Sequence, residues 1–219
     1  MRHRRTDRLD QRRVRAVRQA ASWCLSYPDA DLVERVPLLR AAMDEQGVSD
    51  LDALLDDLER LPLGDLQRRY VDVFDLSRRH ALYLTYWTDG DTRRRGEVLG
   101  SFKAAYRASG FLVDTAGELS DFLPMVLEFA AVADPEAGEA LLREYRPSLE
   151  MLRLGLVEDA TPYAGVVTAV CATLPGASPT DRAAVQAMRD GPPTESVGLE
   201  PYDPRLLPMA DRTATVGGR

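Results

Sequence analysis

Residues 81–87 read ALYLTYW. This is the one stretch with the look of a β-strand, being short, aromatic and partly alternating. A single such run cannot make a sheet, which needs several strands sharing an apolar face. The stretch is therefore expected to be an extended connector, and the fold class follows from what flanks it.

On both sides the apolar residues recur at spacings of three and four, the pattern of amphipathic helices. Upstream, Val14, Val17, Ala21, Cys24 and Leu25 make one stripe, stopped by Pro28. Leu51, Leu54, Leu55, Leu58 and Leu61 make a second, with Ser49 and Asp52 as a capping-box-like start and Pro62 at its end. Leu66, Tyr70, Val73 and Phe74 make a third. Downstream, Val98, Leu99, Phe102, Ala105, Tyr106 and Ser109 predict a helix closed by Gly110. Leu119, Phe122, Leu123, Val126, Leu127 and Ala130 follow. Pro124 fits there only if the helix starts near Ser120 or Asp121, so that its missing N–H falls in the first turn. Asp134-Pro135 reads as the cap and first residue of a helix carrying Leu141, Leu142, Tyr145, Leu149, Leu152 and Leu156, kinked at Pro147. Thr161-Pro162 opens the next, with Tyr163, Val166, Val167, Val170 and Leu174 inward, and a last helix is expected over about 179–189.

The expectation is an all-α fold: a single-domain helical bundle of about eight to ten helices over 1–190. It carries a flexible basic arm at 1–12 and a flexible Pro/Gly-rich tail at 191–219. Nine of the 29 residues of that tail are Gly or Pro, around a small apolar cluster of Leu206, Leu207 and Met209.

Composition narrows the function classes. The chain has 219 residues, 45% hydrophobic and 29% charged, which is the balance of a soluble globular protein. No apolar run approaches the ~18 residues a spanning helix needs. Cys24 and Cys171 are far apart with no CxxC spacing, so neither a disulfide scaffold nor a zinc module is expected. His3 and His80 are too few for a His-rich metal site. Residues 1–18 hold eight Arg and two acids, net +6, whereas residues 44–75 hold ten acids and three Arg, net −7. The total of −7 argues against nucleic-acid binding, which usually shows a basic domain. Arg4-Arg5 and Arg12-Arg13 are pairs, but no apolar stretch of a leader follows them. A reducing, cytoplasmic location is the expectation. No phosphate loop, strand-linked GxGxxG, HExxH or GxSxG occurs, and Lys103 is the only lysine. Nothing nominates an enzyme.

Two segments stand apart. Residues 70–96 carry five aromatics, Tyr70, Phe74, Tyr83, Tyr86 and Trp87, in a chain that is 7% aromatic. Tyr and Trp join a large apolar body to a polar handle, which suits a groove that takes a peptide. Packing in a core corner is the plainer alternative, and it weighs most for Tyr70 and Phe74. Thr88-Asp89-Gly90-Asp91 has a capping pattern, yet Arg93, Arg94 and Arg95 follow in the first helical turn, the wrong end for cations. They either pair with Asp89, Asp91 or Asp114, or serve a partner. The second segment, 118–131, reads ELSDFLPMVLEFAA. Glu118 and Asp121 either cap its helix or face a basic peptide, and Glu128 is placed to pair with an arginine.

At these segments the sequence resembles the NarJ family, the assembly chaperones of respiratory nitrate reductase, within the wider group of twin-arginine-leader-binding chaperones of molybdoenzymes. The resemblance rests on YVDVFD at 70–75 and on LYLTY at 82–86 with Gly90-Asp91-Thr92-Arg93 and Arg95-Gly96. It continues in Glu118-Leu119, Asp121, Leu123-Pro124 and Leu127-Glu128-Phe129, and in Thr161-Pro162-Tyr163, across about residues 10–175. One departure is Phe122, where many relatives of the wider group carry His.

The resemblance implies a cytoplasmic, all-helical chaperone with no catalytic activity and no cofactor of its own. It implies binding of the catalytic α subunit of a membrane-bound nitrate reductase, mainly through that subunit's N-terminal segment, until molybdenum cofactor is inserted. Cofactor-delivery proteins would be further partners; nucleic acid and stable membrane insertion would not be involved. The peptide site is expected at Tyr70, Phe74, Tyr83, Tyr86, Trp87, Asp91, Arg93, Arg95, Glu118, Asp121, Phe122 and Glu128, with apolar walls and charged ends. A chaperone for another molybdoenzyme of the group is the nearest alternative. A helical enzyme holding a nucleotide at Gly90-Asp91-Thr92-Arg93 is a more distant one, and a helix-turn-helix regulator using the Arg-rich arm is disfavoured by the acidic remainder.

Overall fold

A computed structural model of the chain describes residues 2–89, 93–111, 113–115 and 117–190, without the side chains of 2–9, 88–89, 93–94 and 190. The tail and its Leu206, Leu207 and Met209 cluster lie outside the described residues. Helix follows helix, as the apolar spacing predicts. The first, α1 (Arg2–Cys24), takes in the backbone of the basic arm and buries Val17, Ala20, Ala21 and Cys24 on one stripe.

Helix α2 (Ala30–Gln46) is not among the expected elements. Its stripe of Leu32, Val36, Leu39 and Met43 is buried, but Pro37 sits inside it and obscures the pattern. The caps are orthodox: Asp29 accepts the Leu32 N–H at 2.8 Å, and Gly47 closes the helix at φ 63°. Helix α3 (Asp52–Arg60) starts after buried Leu51 with no side-chain cap, so Ser49 is not the cap its sequence suggests. The Ser49 carbonyl instead accepts the Asp52 N–H in a turn at 3.1 Å.

Helix α4 (Leu63–Tyr70) widens without a break into a π-type turn, Val71–Asp75. After a short 3₁₀ turn (Arg78–His80) comes the connector. It is extended over 81–83, makes one isolated bridge between Tyr83 and Phe122, and enters a four-residue helix, α5 (Tyr86–Asp89). Tyr86 and Trp87 are thus helical, where an extended chain was expected. Helix α6 (Arg93–Ala108) ends toward Gly110, at φ 77°.

Helix α7 (Leu123–Glu128) starts two or three residues later than Pro124 alone suggested, and it too runs into a π-type turn, Phe129–Ala133. Asp134 caps α8 (Pro135–Glu144), accepting the Ala137 N–H at 3.0 Å. In place of a kink at Pro147 the chain breaks at Tyr145, and Pro147 opens α9 (Arg146–Glu158). Helices α10 (Tyr163–Ala172) and α11 (Arg182–Asp190) complete the described chain.

One apolar core holds these helices together. At its centre α1 packs against α2, α7, the 129–133 turn and α10, while α9 packs against α10 and α11. No described helix is long and apolar enough to cross a membrane. A polar clamp fixes the chain just before the connector. His80 is buried, with Nδ1 3.0 Å from the Val73 carbonyl and Nε2 3.1 Å from an Asp159 oxygen. Arg79 bonds Glu158 at 2.5 Å and Asp159 at 3.1 Å.

Candidate functional site

The connector lies along the turn that leads into α7. The Leu84 N–H donates to the Asp121 carbonyl at 3.1 Å, and the Leu123 N–H donates to the Leu82 carbonyl at 2.8 Å. The two segments that stand out in the sequence are therefore neighbours. The turn is held from its other side by α6: the Tyr106 hydroxyl donates to the Ser120 carbonyl at 2.7 Å, and Ser120 Oγ donates to Leu99 at 3.0 Å.

Behind this contact sits a buried carboxylate. Asp121 is 0% exposed. Its Oδ2 accepts the Thr85 N–H at 3.0 Å and the Thr85 hydroxyl at 2.7 Å. No helix amide of α7 bonds it, so it is not a cap. In front lies a ring platform. The Tyr83 and Phe122 rings are 5.5 Å apart, and the Tyr83 hydroxyl donates to exposed Glu118 at 2.7 Å. Burial pushes the Tyr83 phenol up from its ordinary value, and the bond to Glu118 and the charges of Glu118, Asp121 and Asp75 add to the shift. Arg95 stands over the platform, its guanidinium carbon 5.9 Å from the Tyr83 centroid and its Nε donating to Thr85 Oγ1 at 3.2 Å. Tyr86 and Trp87 are half-buried and meet edge-on at 5.7 Å, and the Trp87 indole N–H reaches the Ala81 carbonyl at 3.3 Å.

The remaining residues of the expected site separate from this cluster. Tyr70 and Phe74 are 5% and 7% exposed and belong to a core of rings with Tyr163. The Tyr70 hydroxyl is spent on the Leu25 carbonyl at 3.0 Å. Burial raises the Tyr70 phenol well above its usual range. Glu128 is exposed at the end of α7 and makes no ion pair among the described residues. Asp91 lies outside the described residues, and the Arg93 side chain is likewise not described. Tyr83, Tyr86, Trp87, Arg95, Glu118, Asp121 and Phe122 do fall in the connector, the α7 turn or the first turn of α6. Thr85, which links Asp121 to Arg95, is missing from the expected set. Nothing in its spacing marks it, because its partners are 36 and 10 residues away.

A groove of about 1130 Å³ opens elsewhere, between α3, the 71–75 turn and the start of α10. Asp57, Arg60, Arg69 and Pro162 line it, and Asp57 is already paired with both arginines. Among the described residues no group of His, Cys, Asp and Glu is placed to hold a metal ion. Both cysteines are buried thiols, and burial pushes that of Cys24 up to about 12.

The family model described as "Nitrate reductase delta subunit" matches residues 40–169. NarX of Mycobacterium tuberculosis, a nitrate reductase-like protein, is 45% identical over 155 residues, 71% of this chain and 24% of its own length. The chain thus spans about a quarter of that relative. The probable nitrate reductase molybdenum cofactor assembly chaperone NarJ of Bacillus subtilis is 34% identical over 71% of this chain and 86% of its own. The nitrate reductase molybdenum cofactor assembly chaperone NarJ of Escherichia coli is 28% identical over 64% and 61%. Among solved structures, a candidate redox enzyme maturation protein from Archaeoglobus fulgidus matches with a TM-score of 0.56 at 22% identity, over 72% of this chain and 91% of that one. At that identity the match speaks to the fold.

Proposed function

Since the chain belongs to the nitrate reductase delta subunit family, that of NarJ, we propose that it is an assembly chaperone for nitrate reductase and performs no bond chemistry of its own. Its client is the catalytic α subunit, bound mainly through the N-terminal segment and held while molybdenum cofactor, the cargo of the process, is inserted. Binding takes place before the client meets its membrane anchor, on the cytoplasmic side, and cofactor-delivery proteins join the complex.

The observation that carries this reading is the ring platform where the two distinctive segments meet. Tyr83, Phe122, Tyr86 and Trp87 are half-buried, not sealed, and Glu118 and Arg95 supply opposite charges beside them. Half-buried rings flanked by charge give a peptide apolar contact together with orientation. A segment that orders on binding gives moderate affinity, which suits capture followed by release.

The test is a titration of the purified chain with a synthetic peptide of the α subunit's N-terminal segment, paired with nitrate reductase activity in a strain lacking the gene. Glu118→Lys and Trp87→Ala are each expected to weaken binding by about five- to tenfold, the range of a significant interface residue, and to lower active enzyme in parallel. Unchanged affinity and maturation in both variants would remove the platform from the proposal. A wild-type chain that ignores the peptide but is thermally stabilised by nucleotides would overturn the chaperone reading itself.

A further inference from the structure

Asp121 invites reading as the acid that greets a basic client, yet its geometry gives it another task. The side chain is fully buried, so an arriving peptide cannot touch it. Its Oδ2 takes both polar hydrogens of Thr85, and Oδ1 has no hydrogen bond among the described residues. An arginine Nε–H can only donate, and a threonine hydroxyl has a single hydrogen. The Thr85 O–H therefore points at Asp121, which leaves the Oγ1 lone pairs facing the other way. There the Arg95 Nε–H donates to Oγ1 at 3.2 Å, and the guanidinium stands over the Tyr83 ring.

We infer that Asp121 is a positioning residue: through the Thr85 hydroxyl it orients Arg95 over Tyr83 and thereby presets the cationic side of the client platform. The relay runs carboxylate, hydroxyl, guanidinium, ring, and ends at Glu118 through the Tyr83 hydroxyl at 2.7 Å. The cited bonds all favour one orientation of the half-buried Arg95 side chain, with Nε on Thr85 and the guanidinium over the Tyr83 ring. A preset arginine binds more tightly than a mobile one because the ordering entropy is spent during folding and not at capture. The inference rests on the client platform proposed above for its binding consequence, but its structural half stands apart from that reading.

The experiment uses the full chain with Thr85→Val, Thr85→Ser, Asp121→Asn, Arg95→Ala and the Thr85→Val/Arg95→Ala and Asp121→Asn/Arg95→Ala double variants. Two quantities are read: hydrogen exchange of the Arg95 side-chain Nε–H by NMR, and affinity for the synthetic N-terminal peptide. Thr85→Val is expected to speed the exchange and to weaken the peptide by about tenfold, the scale of a lost hydrogen bond to a charged group. It should have no further effect once Arg95 is alanine, whereas Thr85→Ser should stay within about twofold of wild type on both readouts. Asp121→Asn, the milder change, covers the case in which Thr85→Val does not fold; it should give a smaller loss that also vanishes in the Arg95→Ala background. Equal losses with and without Arg95, or an Arg95 exchange rate indifferent to Thr85 and Asp121, would overturn the inference. A wild-type chain that fails to bind the peptide removes the client reading alone, since the exchange measurement still decides whether the relay exists.

Discussion

Glu150 illustrates how much a single side chain can carry. It lies in α9 with no exposure, yet its carboxylate takes Arg153 Nε at 2.6 Å, Ser178 Oγ at 2.8 Å and Arg146 at 3.4 Å. The same arginines then reach the loop toward α11, at the Gly176 carbonyl (2.9 Å) and the Pro179 carbonyl (2.5 Å). One buried carboxylate thus pairs with two guanidinium groups and helps pin the irregular chain at Gly176, Ser178 and Pro179. Glu150→Gln removes the charge and keeps the shape. It is expected to lower unfolding free energy by about 3 kcal/mol, because a broken buried pair leaves uncompensated charge behind. Urea unfolding checks this; a loss under about 1 kcal/mol would mean the arginines are solvated in the folded state. Nothing in the sequence pattern announces this network. Glu150 reads there as a polar residue among leucines, and only the fold shows what faces it.

Among the elements, the π-type turns at 71–75 and 129–133 are the least expected from sequence. A period of 3.6 cannot bury Phe129, Ala130 and Ala131 in succession on a one-sided helix, yet all three are buried. The wider turn does so by resetting the helix face between α7 and α8. It brings the Ala130 backbone so close to α8 that a Cβ on Gly138 would lie 2.4 Å from Ala130 Cα. Gly138→Ala should therefore force α8 outward and cost about 1–3 kcal/mol, as overpacking does. A denaturation midpoint equal to wild type would show that the 129–133 turn can relax to accept a methyl group. Elsewhere at this scale, the Asp134 cap was readable, whereas Ser49 and Asp121 are not caps and buried partners left no trace. Asp134-Pro135 marks the start of α8 because a cap is a local bond. Helix α2 escaped because Pro37 falls in the middle of its stripe.

For the molecule as a whole, buried tyrosines and cysteines set an alkaline limit. Burial raises the phenols of Tyr70, Tyr106 and Tyr163, and burial together with the Glu118 bond raises that of Tyr83. In the unfolded chain these groups ionise near pH 10, whereas in the fold they keep their protons above it. The buried thiols of Cys24 and Cys171 behave alike from a lower starting point, ionising at about pH 8.5 when unfolded. The unfolded state then binds fewer protons than the native one, so stability is complete below about pH 8 and is lost as pH rises toward the native values, first through the thiols and above about pH 10 through the phenols as well. Unfolding free energy measured by urea from about pH 7 to 11 should be flat to about pH 8, then fall, and fall more steeply above about pH 10. Tyr106→Phe should make the fall shallower by up to one proton, about 1.4 kcal/mol per pH unit, while costing one hydrogen bond to Ser120 at neutral pH. A slope unchanged by Tyr106→Phe would mean that this phenol ionises equally in both states.

Local chemistry therefore decides part of this protein before it folds. Spacing of apolar residues, capping side chains and the absence of a second strand-like run establish a helical bundle. The motifs at 70–96 and 118–131 establish the family. Folding decides the division of labour among the aromatics: Tyr70 and Phe74 join the core around Tyr163, while Tyr83, Phe122, Tyr86 and Trp87 stay half open. It also turns Asp121 inward to Thr85, 36 residues away. Periodicity states which face of a helix is apolar. It does not state what stands opposite, because that depends on contacts between segments whose separation along the chain leaves no periodic trace.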